Sequence, residues 1–196
     1  MVLINTGGAV HPDEPAYCIS KTEVTREVDN AFWTPRMQEQ YSESKCQDAV
    51  AGPRKPAVFR SWNGARRFCQ EVYKSGDLPT ARQWEKACGS GEYCTASGTL
   101  NHTEAVYDVD GPADVGSKVA NSNGLYDMTG NVNEWLRDTT ADSYYSRYVT
   151  GGSWGYGDND GDLVFLRAAF RNRATPYYEG QDYGFRCVAL PEDSSK

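Results

Sequence analysis

Long apolar runs and an excess of basic residues are both missing from this 196-residue sequence. No stretch approaches the roughly 18 apolar residues that a membrane-spanning helix needs, so no membrane insertion is expected. The net charge is −7, and because phosphate binding needs a basic surface, nucleic acid is not expected as a partner. No signal peptide is visible either, since residues 1–4 are followed at once by polar residues and glycines.

Histidine is scarce, and the cysteines lack the spacing typical of metal ligands. Two histidines are present, His11 and His102, and none of the six cysteines belongs to a CxxC pair. A zinc site of the Cys/His type is therefore not expected. The even number of cysteines allows disulfides, but composition leaves open which pairs form and whether any do.

Glycine, tyrosine and tryptophan are abundant, at 19, 13 and 5 residues. Such a composition is typical of an irregular, loop-rich fold held by large aromatic rings, and not of a helix bundle. The length suits one domain, here taken as 1–196, and a chain of this size buries roughly 70 % of its unfolded surface. We therefore expect a single domain with a proper core.

Helices are predicted in the first half of the chain. Ser61 is a suitable N-cap for a helix over residues 62–74, which ends before Gly76. Its apolar residues recur at the helical period: Ala65, Phe68, Cys69, Val72 and Tyr73. Thr80 caps a second helix over residues 81–88. Its inward residues are Trp84 and Ala87.

A further helix is predicted over residues 26–33, with Val28, Phe32 and Trp33 on one side. Short strands are predicted within residues 16–25 and at 148–150, 165–170 and 184–190. The polar, proline-containing stretch 37–55 is expected to be surface loop. Short helices near the front and a long glycine-rich remainder indicate an α+β class with much irregular structure.

Six segments follow one another in the order of a known motif series. They are KTEVT at 21–25, SWNGARRFC at 61–69, LPTARQWE at 78–85, GLYDMTGNVNEW at 124–135, GGSW at 151–154 and GFRC at 184–187. The series resembles the formylglycine-generating-enzyme (sulfatase-modifying-factor) family. The resemblance implies a C-type-lectin-like fold with two helices, short antiparallel strands and much irregular loop.

Most motif residues have a structural explanation. Large rings act as anchors, because each buries about 150–250 Å². These are Trp62, Trp84, Trp135 and Trp154. Glycines supply backbone angles that a Cβ forbids. These are Gly130, Gly151, Gly152 and Gly184.

The resemblance also locates a catalytic site, from which this sequence departs. In catalytic members, two cysteines follow the GGSW tryptophan, hold copper and oxidise a substrate cysteine. Residues 155–162 contain no cysteine, and neither Tyr nor Asp can replace a thiolate as copper ligand and redox group. Members with histidine-bound iron need more histidines than the two present. We therefore expect no copper, no iron and no enzyme activity.

The resemblance implies a disulfide between Cys69 and Cys187, which would join the first helix to the last strand. Cys88 also stands at a family cysteine position, but Ala168 occupies its usual partner position. Cys94 is the alternative partner, across a glycine-rich loop. Free buried thiols in a reducing environment remain the other interpretation of all the cysteines.

Calcium is the cofactor that the resemblance implies, as a structural ion. Its expected ligands are Asn131, Val132, Asn133 and Glu134, which offer the hard oxygen donors that Ca²⁺ prefers. Asn133 replaces the family's usual tryptophan. The alternative is that Asn131 and Glu134 satisfy backbone groups of a turn.

The C-terminal segment resembles one branch of the family, the variable proteins of diversity-generating retroelements. Their fixed pattern L-R-x-A-x-R occurs at 166–171, followed by Pro176, within a variable region of about 151–187. Randomised AAY codons cannot encode Lys, Glu, Gln, Met or Trp, and none of these occurs between Gly155 and Phe165. Glu179 and Gln181 depart from the pattern.

The resemblance therefore implies a ligand-binding surface. Its aromatic residues are expected to be Tyr156, Phe165, Phe170, Tyr177, Tyr178 and Tyr183. Its polar residues are expected to be Asp158, Asp160, Asp162, Asn172, Arg173 and Asp182. Tyrosine among small polar residues is also the composition of antibody paratopes. The expected partner is a protein or other macromolecule on a cell or host surface, with the chain itself on a virion or cell surface.

Two other functions remain open at this point. One is an oxidase of the formylglycine-generating type with unusual metal ligands. The other is an adaptor or regulatory domain of a bacterial surface complex, without hypervariation.

Overall fold

The computed structural model describes residues 1–37, 54–140, 143–157 and 161–191. Within them lie three α-helices, α1 Arg26–Met37, α2 Trp62–Val72 and α3 Ala81–Cys88, and a short 3-10 helix, Asp162–Leu166. The strands are β1 Val2–Ile4, β2 Tyr17–Ile19, β3 Asn133–Thr140, β4 Ser143–Thr150, β5 Asn172–Ala174, β6 Tyr183–Gly184 and β7 Val188–Ala189. The predicted α+β class is confirmed, with one helix more than the family resemblance implied.

The strands form two small sheets. The first has the order β1-β2-β7 and is antiparallel, so that it joins the beginning of the chain to its last strand. The second has the order β5-β4-β3-β6; β3 pairs with β4 and β4 with β5 in the antiparallel sense, whereas β3 and β6 run parallel. The second sheet carries the residues of interest for function.

Both predicted helix caps are present. The Ser61 hydroxyl accepts a hydrogen bond from the Gly64 amide at 3.3 Å, and Thr80 forms a reciprocal capping box with Gln83. Helix α2 ends at Val72, two residues earlier than predicted, and Val72 is 40 % exposed instead of facing the core. A Cβ at Gly76 would collide with the carbonyl oxygen of Cys69, which explains the glycine after this helix.

Helix α1 is longer than predicted and buries fewer residues. Phe32 packs edge-on against Phe68 with ring centroids 4.9 Å apart, whereas Val28, predicted on the same side of the helix, is 49 % exposed. The predicted loop over 37–55 falls almost entirely outside the described residues. None of the helices in the described parts of the chain is long and apolar enough to cross a membrane.

The strand predictions succeed only in part. Residues 148–150 belong to β4, and the segments 16–25 and 184–190 each contain shorter strands than predicted. The strand at 165–170 was wrong: Gly161, with a left-handed φ of 85°, starts the 3-10 helix there, and Leu166 turns fully into the core. Strands β1, β3 and β5 were not predicted.

The core has two main clusters on opposite faces of β3. Trp135 lies in one, with Phe68, Phe185 and the disulfide Cys69–Cys187; Leu136 lies in the other, with Trp84. Consecutive strand residues point to opposite faces, which divides the core in this way. Trp62 is also buried, whereas Trp154 is only partly buried.

Two disulfides are present in the described residues. The predicted bond between Cys69 and Cys187 joins α2 to the segment before β7, with Cα atoms 5.4 Å apart. Cys88 pairs with Cys94, the alternative partner considered above. Cys18 is a free thiol in β2. Cys46 lies outside the described residues.

Two of the motif glycines are required for different reasons. Gly152 has a φ of 72°, a left-handed conformation that favours glycine. Gly184 has no such angle; a Cβ there would lie 2.8 Å from Val132 Cγ2 and 3.0 Å from the Ala57 carbonyl oxygen. Gly184 is therefore required by close packing. The prediction that it supplies a special backbone angle was wrong.

Candidate ligand-binding surface

A buried ion pair ties two of the sequence motifs together beneath the surface. The Arg186 guanidinium binds the Glu134 carboxylate in a bidentate manner, through Nη2 at 2.6 Å and Nε at 2.8 Å, and both side chains are almost fully buried. The indole of Trp84 donates to the same carboxylate at 2.7 Å. Arg186 also donates to the carbonyl oxygens of Ser20 and Tyr126. Glu134, Arg186 and Trp84 are called the buried frame below.

The buried frame bears on the predicted calcium site, because it uses the Glu134 carboxylate. Asn131 is engaged too: its Oδ1 accepts from the Ala113 amide at 2.9 Å, and its Nδ2 donates to Glu23 at 2.8 Å. A calcium site built on the Glu134 side chain does not fit these contacts, since a guanidinium stands beside that carboxylate. Among the described residues, no group of three or more His, Cys, Asp or Glu is arranged for a metal ion. Calcium itself stays a prediction.

Aromatic rings of the second sheet and of the loops around it form two groups. In the first, the ring centroid of Phe165 lies 4.9 Å from that of Tyr156 and 4.9 Å from that of Phe170. In the second, Tyr183 lies 4.7 Å from Tyr178 and 5.3 Å from Trp135. Each group is packed edge-to-face or tilted, the geometry that aromatic pairs prefer.

Polar side chains connect the two aromatic groups. Asn133 begins β3; its backbone amide donates to the backbone carbonyl oxygen of Asp182 at 2.8 Å, and its Nδ2 donates to the Asp182 carboxylate at 3.2 Å. Asn133 and Asn172 lie close enough to Tyr156 to lower the pKa of its phenol. Asn133 is paired with Tyr183 in the sheet, so their side chains share one face. The result is a continuous surface of rings around amides and one carboxylate.

Three ionisable groups of the surface, Tyr156, Tyr183 and Asp182, have raised pKa values. Burial raises the pKa of Tyr156, and the side chains of Asn133 and Asn172 offset part of that rise. Burial also raises the pKa of Tyr183, with further contributions from neighbouring Tyr156, Asp182 and Tyr178. The pKa of Asp182 is raised by burial too, against hydrogen bonds from its own backbone and from Asn133. These groups are therefore partly desolvated and close to one another.

Seven of the predicted binding residues meet here: Tyr156, Phe165, Phe170, Asn172, Tyr178, Asp182 and Tyr183. Together with Asn133 they are called the aromatic surface below. Asp162 lies close enough to Tyr156 for its charge to raise the pKa of that phenol. Tyr177 is 76 % exposed on the loop just before Tyr178.

Other predicted binding residues lie elsewhere. Arg173 alternates with Asn172 along β5 and stacks over Tyr148, 5.9 Å from the ring centroid, so it does not join the aromatic surface. Asp158 and Asp160 lie outside the described residues. Asn133 was assigned to calcium by sequence, and its contact with Asp182 was missed. The sequence signal that could have revealed this contact is that Asn133 stands where the family usually has a tryptophan, beside the variable region.

Comparison with known proteins identifies the family and the fold. The family model of the sulfatase-modifying factor enzyme 1-like domain matches residues 9–190 of this sequence. The serine/threonine-protein kinase pkn1 of Chlamydia caviae is 31 % identical over 153 residues, which cover 68 % of this chain and 24 % of the kinase. The formylglycine-generating enzyme of Streptomyces coelicolor is 28 % identical over 175 residues, 72 % of this chain and 54 % of the enzyme.

Among solved structures, Treponema denticola variable protein 1 has the same fold. It superposes with a TM-score of 0.76 at 21 % identity, covering 97 % of this chain and 95 % of that protein. The chain spans only about a quarter of the pkn1 kinase and half of the Streptomyces enzyme. On its motifs, its C-type-lectin-like α+β fold and the extent of the domain match, the chain belongs to the sulfatase-modifying factor enzyme 1-like, or formylglycine-generating-enzyme, family.

Proposed function

We propose that this chain is a non-catalytic, ligand-binding member of the family, diversified by a retroelement, that recognises a macromolecule through the aromatic surface. The observation that carries the proposal is how fixed and variable positions divide between core and surface. Three fixed positions of the variable region, Leu166, Arg171 and Pro176, turn inward, whereas the fixed Arg167 and Ala169 are exposed. Of the expected binding residues in this region, Tyr177 and Tyr178 turn outward, whereas Tyr183 is 8 % exposed and packs in the core.

The fixed positions form the support of the surface. Leu166 is fully buried, and Pro176 is buried with its carbonyl accepting from the Trp62 amide at 3.0 Å. Arg171 donates to the Thr150 hydroxyl and to the carbonyl oxygens of Ala168 and Phe170, all within 2.8 Å, and it pairs with Glu85. These contacts hold the main chain from within.

The variable positions offer the chemistry of a binding surface. Tyr177 and Tyr178 are 76 % and 46 % exposed, while Phe170 and Asn172 are half-buried beside them. Rigid tyrosine rings give large contact area at low entropic cost, and small polar residues adapt to the partner. Binding through a few such anchors is typical of protein interfaces.

The cysteines support a non-catalytic function. Residues 155–162, which follow Trp154, contain no cysteine. Cys187, further along the chain, forms a disulfide with Cys69. Four of the five cysteines in the described residues form disulfides, which leaves Cys18 alone in β2. Disulfides persist in oxidising environments, which supports a place on a cell or virion surface.

Diversification is tested by sequencing the DNA that flanks this coding region in several isolates. The proposal expects a reverse-transcriptase gene, a near-identical template repeat, and differences confined to AAY-derived codons between Gly155 and Tyr183. An invariant segment without such a neighbour would leave a non-diversified adaptor domain or an atypical oxidase. Metal analysis combined with an assay on a cysteine peptide would then separate these two.

Binding is tested by selection from a phage-displayed random peptide library on the immobilised protein. Replacing Phe170, Tyr177 and Tyr178 together by Ala should abolish the enrichment of peptides. Tyr145→Ala is the matched control, because Tyr145 is 79 % exposed on β4 but lies outside the aromatic surface. Unchanged enrichment in the triple variant would show that this surface does not bind.

A further inference from the structure

We propose that the aromatic surface takes a basic side chain, an arginine or a lysine of a protein ligand, against the Asp182 carboxylate and the rings of Tyr156, Tyr178 and Tyr183. This inference rests on the proposed function and specifies the chemistry of the ligand. The aromatic surface has one carboxylate, Asp182, which is partly desolvated and has no basic partner among the described residues.

Asp182 lacks a basic partner among the described residues, as do the fully buried Glu23 and Asp127, but unlike these two it is partly exposed at the surface. Several other sheltered carboxylates are paired. Asp29 pairs with Arg60 at 2.7 Å, Asp77 with Arg66 at 2.9 Å, and Glu134 with Arg186. Asp182 is half-buried, and no Lys, Arg or His within the described ranges pairs with it; its side-chain partner is the neutral amide of Asn133. The aromatic surface therefore presents a carboxylate with which a basic group of a ligand can form an ion pair.

The rings beside Asp182 suit a cation as well. Tyr178 and Tyr183 meet edge-to-face with centroids 4.7 Å apart, and the phenols of Tyr156 and Tyr183 lie close enough to Asp182 for its charge to raise their pKa values. Ring faces attract a guanidinium or ammonium group, more strongly where water is excluded. A carboxylate among tyrosine rings therefore combines charge pairing with cation–π attraction in one place.

Asp182 is also held in position before any ligand arrives. Asn133 is 2 % exposed; its backbone amide donates to the Asp182 carbonyl oxygen at 2.8 Å and fixes the main chain there, and its Nδ2 donates to the Asp182 carboxylate at 3.2 Å. A carboxylate fixed in this way loses little freedom when a partner binds, which favours affinity. Asn133 therefore acts as a positioning residue for Asp182.

Other ligands fit the surface less well. A neutral sugar would leave the sheltered carboxylate without a countercharge, which is costly. Calcium prefers about six to eight oxygen ligands, and a single carboxylate does not supply them. The net charge of −7 also favours encounter with a basic partner.

The test uses the peptide selection described above, on the wild-type protein, on Asp182→Asn and on Glu179→Gln. Glu179→Gln removes an exposed carboxylate three residues away and controls for net charge. Wild type and Glu179→Gln should enrich peptides containing Arg or Lys over the unselected library, and Asp182→Asn should lose that enrichment. The melting temperature of each variant verifies that it is folded.

A selected arginine peptide is then compared with the same peptide carrying citrulline, which keeps the shape of arginine and removes its charge. Citrulline in the peptide, or Asp182→Asn in the protein, should each weaken binding about tenfold, and the two changes together should add little more. Basic enrichment that persists in Asp182→Asn, or wild-type peptides without basic residues, would overturn the inference. If no peptide is enriched at all, or if the triple alanine variant enriches the same peptides, the proposed function fails first.

Discussion

Asn133 and Glu134 are neighbours on β3, yet they belong to regions of opposite character. Glu134 points into the buried frame, where its carboxylate is paired with Arg186 and hydrogen-bonded by Trp84. Asn133 points to the aromatic surface, where it holds the Asp182 carboxylate, which has no basic partner in the part of the chain that the structure describes. Because successive strand residues alternate between faces, one residue step separates a region that stabilises the fold from one suited to recognition.

The comparison teaches that the two regions should respond differently to substitution. In the buried frame, the charges of Glu134 and Arg186 are paired. Removing one of them therefore leaves the other buried without a counterion. On the aromatic surface, the exposed groups can be exchanged at little cost to folding. The predictions below test this contrast, beginning with the largest expected effect.

Removing the cation of the buried frame should cause the greatest loss of stability. Arg186→Met leaves the Glu134 carboxylate buried without a partner, which should cost about 3–5 kcal/mol in the free energy of unfolding. Urea denaturation followed by tryptophan fluorescence measures this loss. The double variant Glu134→Gln with Arg186→Met should be less destabilised than Arg186→Met alone. A single-variant loss below about 1 kcal/mol would contradict the importance of the frame.

The two disulfides should differ in what they contribute. Cys69–Cys187 spans 118 residues and Cys88–Cys94 spans 6, and a longer closed loop restricts the unfolded chain more. Replacing both members by Ala should cost about 4–5 kcal/mol for the first pair and about 2 kcal/mol for the second. Urea denaturation of the two double variants compares them directly. Equal losses would show that native packing, and not loop length, governs their effects.

Substitutions of exposed residues on or directly beside the aromatic surface, such as Tyr177, should affect binding far more than folding. Tyr177→Ala should change the free energy of unfolding by no more than about 0.5 kcal/mol, because the side chain is 76 % exposed. Thermal unfolding of this variant beside Tyr145→Ala provides the comparison. A loss above about 2 kcal/mol would mean that Tyr177 supports the fold, and the contrast between the two regions would then break down.

The smallest expected effect has the opposite sign. Burial raises the pKa of Asp182 in the folded protein, so its ionised form costs stability once the pH rises through that pKa. Asp182→Asn should therefore stabilise the protein at pH 7, by less than about 1 kcal/mol. The gain should decrease as the pH falls through about 4, where the carboxyl becomes protonated in the unfolded state as well as in the folded state. Denaturation at pH 7 and at pH 3.5 tests both the sign and the pH dependence; a loss of stability at pH 7 would contradict it.

Local features of the fold were predictable where a short segment determines them. The caps at Ser61 and Thr80 depend on residues three positions away, and the structure confirms both. The Cys69–Cys187 pair was also predicted, but from family motifs and not from spacing. The strand predicted at 165–170 failed because its β-forming residues were outweighed by the turn at Gly161 and the burial of Leu166.

The aromatic surface was predictable as a set of residues but not as an arrangement. Strand β3 escaped prediction because residues 133–136 are buried on both faces, so the alternation of polar and apolar residues is lost. Asn133 meets Asp182 from 49 positions away, and no local pattern reveals such a contact. For the same reason, sequence could not show that Arg173 leaves the surface while Asn172 joins it.

Arg171 has a consequence for protein engineering. The Arg171 guanidinium donates to the carbonyl oxygens of Ala168 and Phe170 and to the Thr150 hydroxyl, and it forms an ion pair with Glu85. The conformation of this loop therefore depends little on its exposed side chains. A combinatorial library that randomises positions 170, 172, 177 and 178 while retaining Leu166, Arg171 and Pro176 should therefore yield mostly folded members. The domain would then serve as a template from which binders to chosen targets are selected, much as antibody loops are used today.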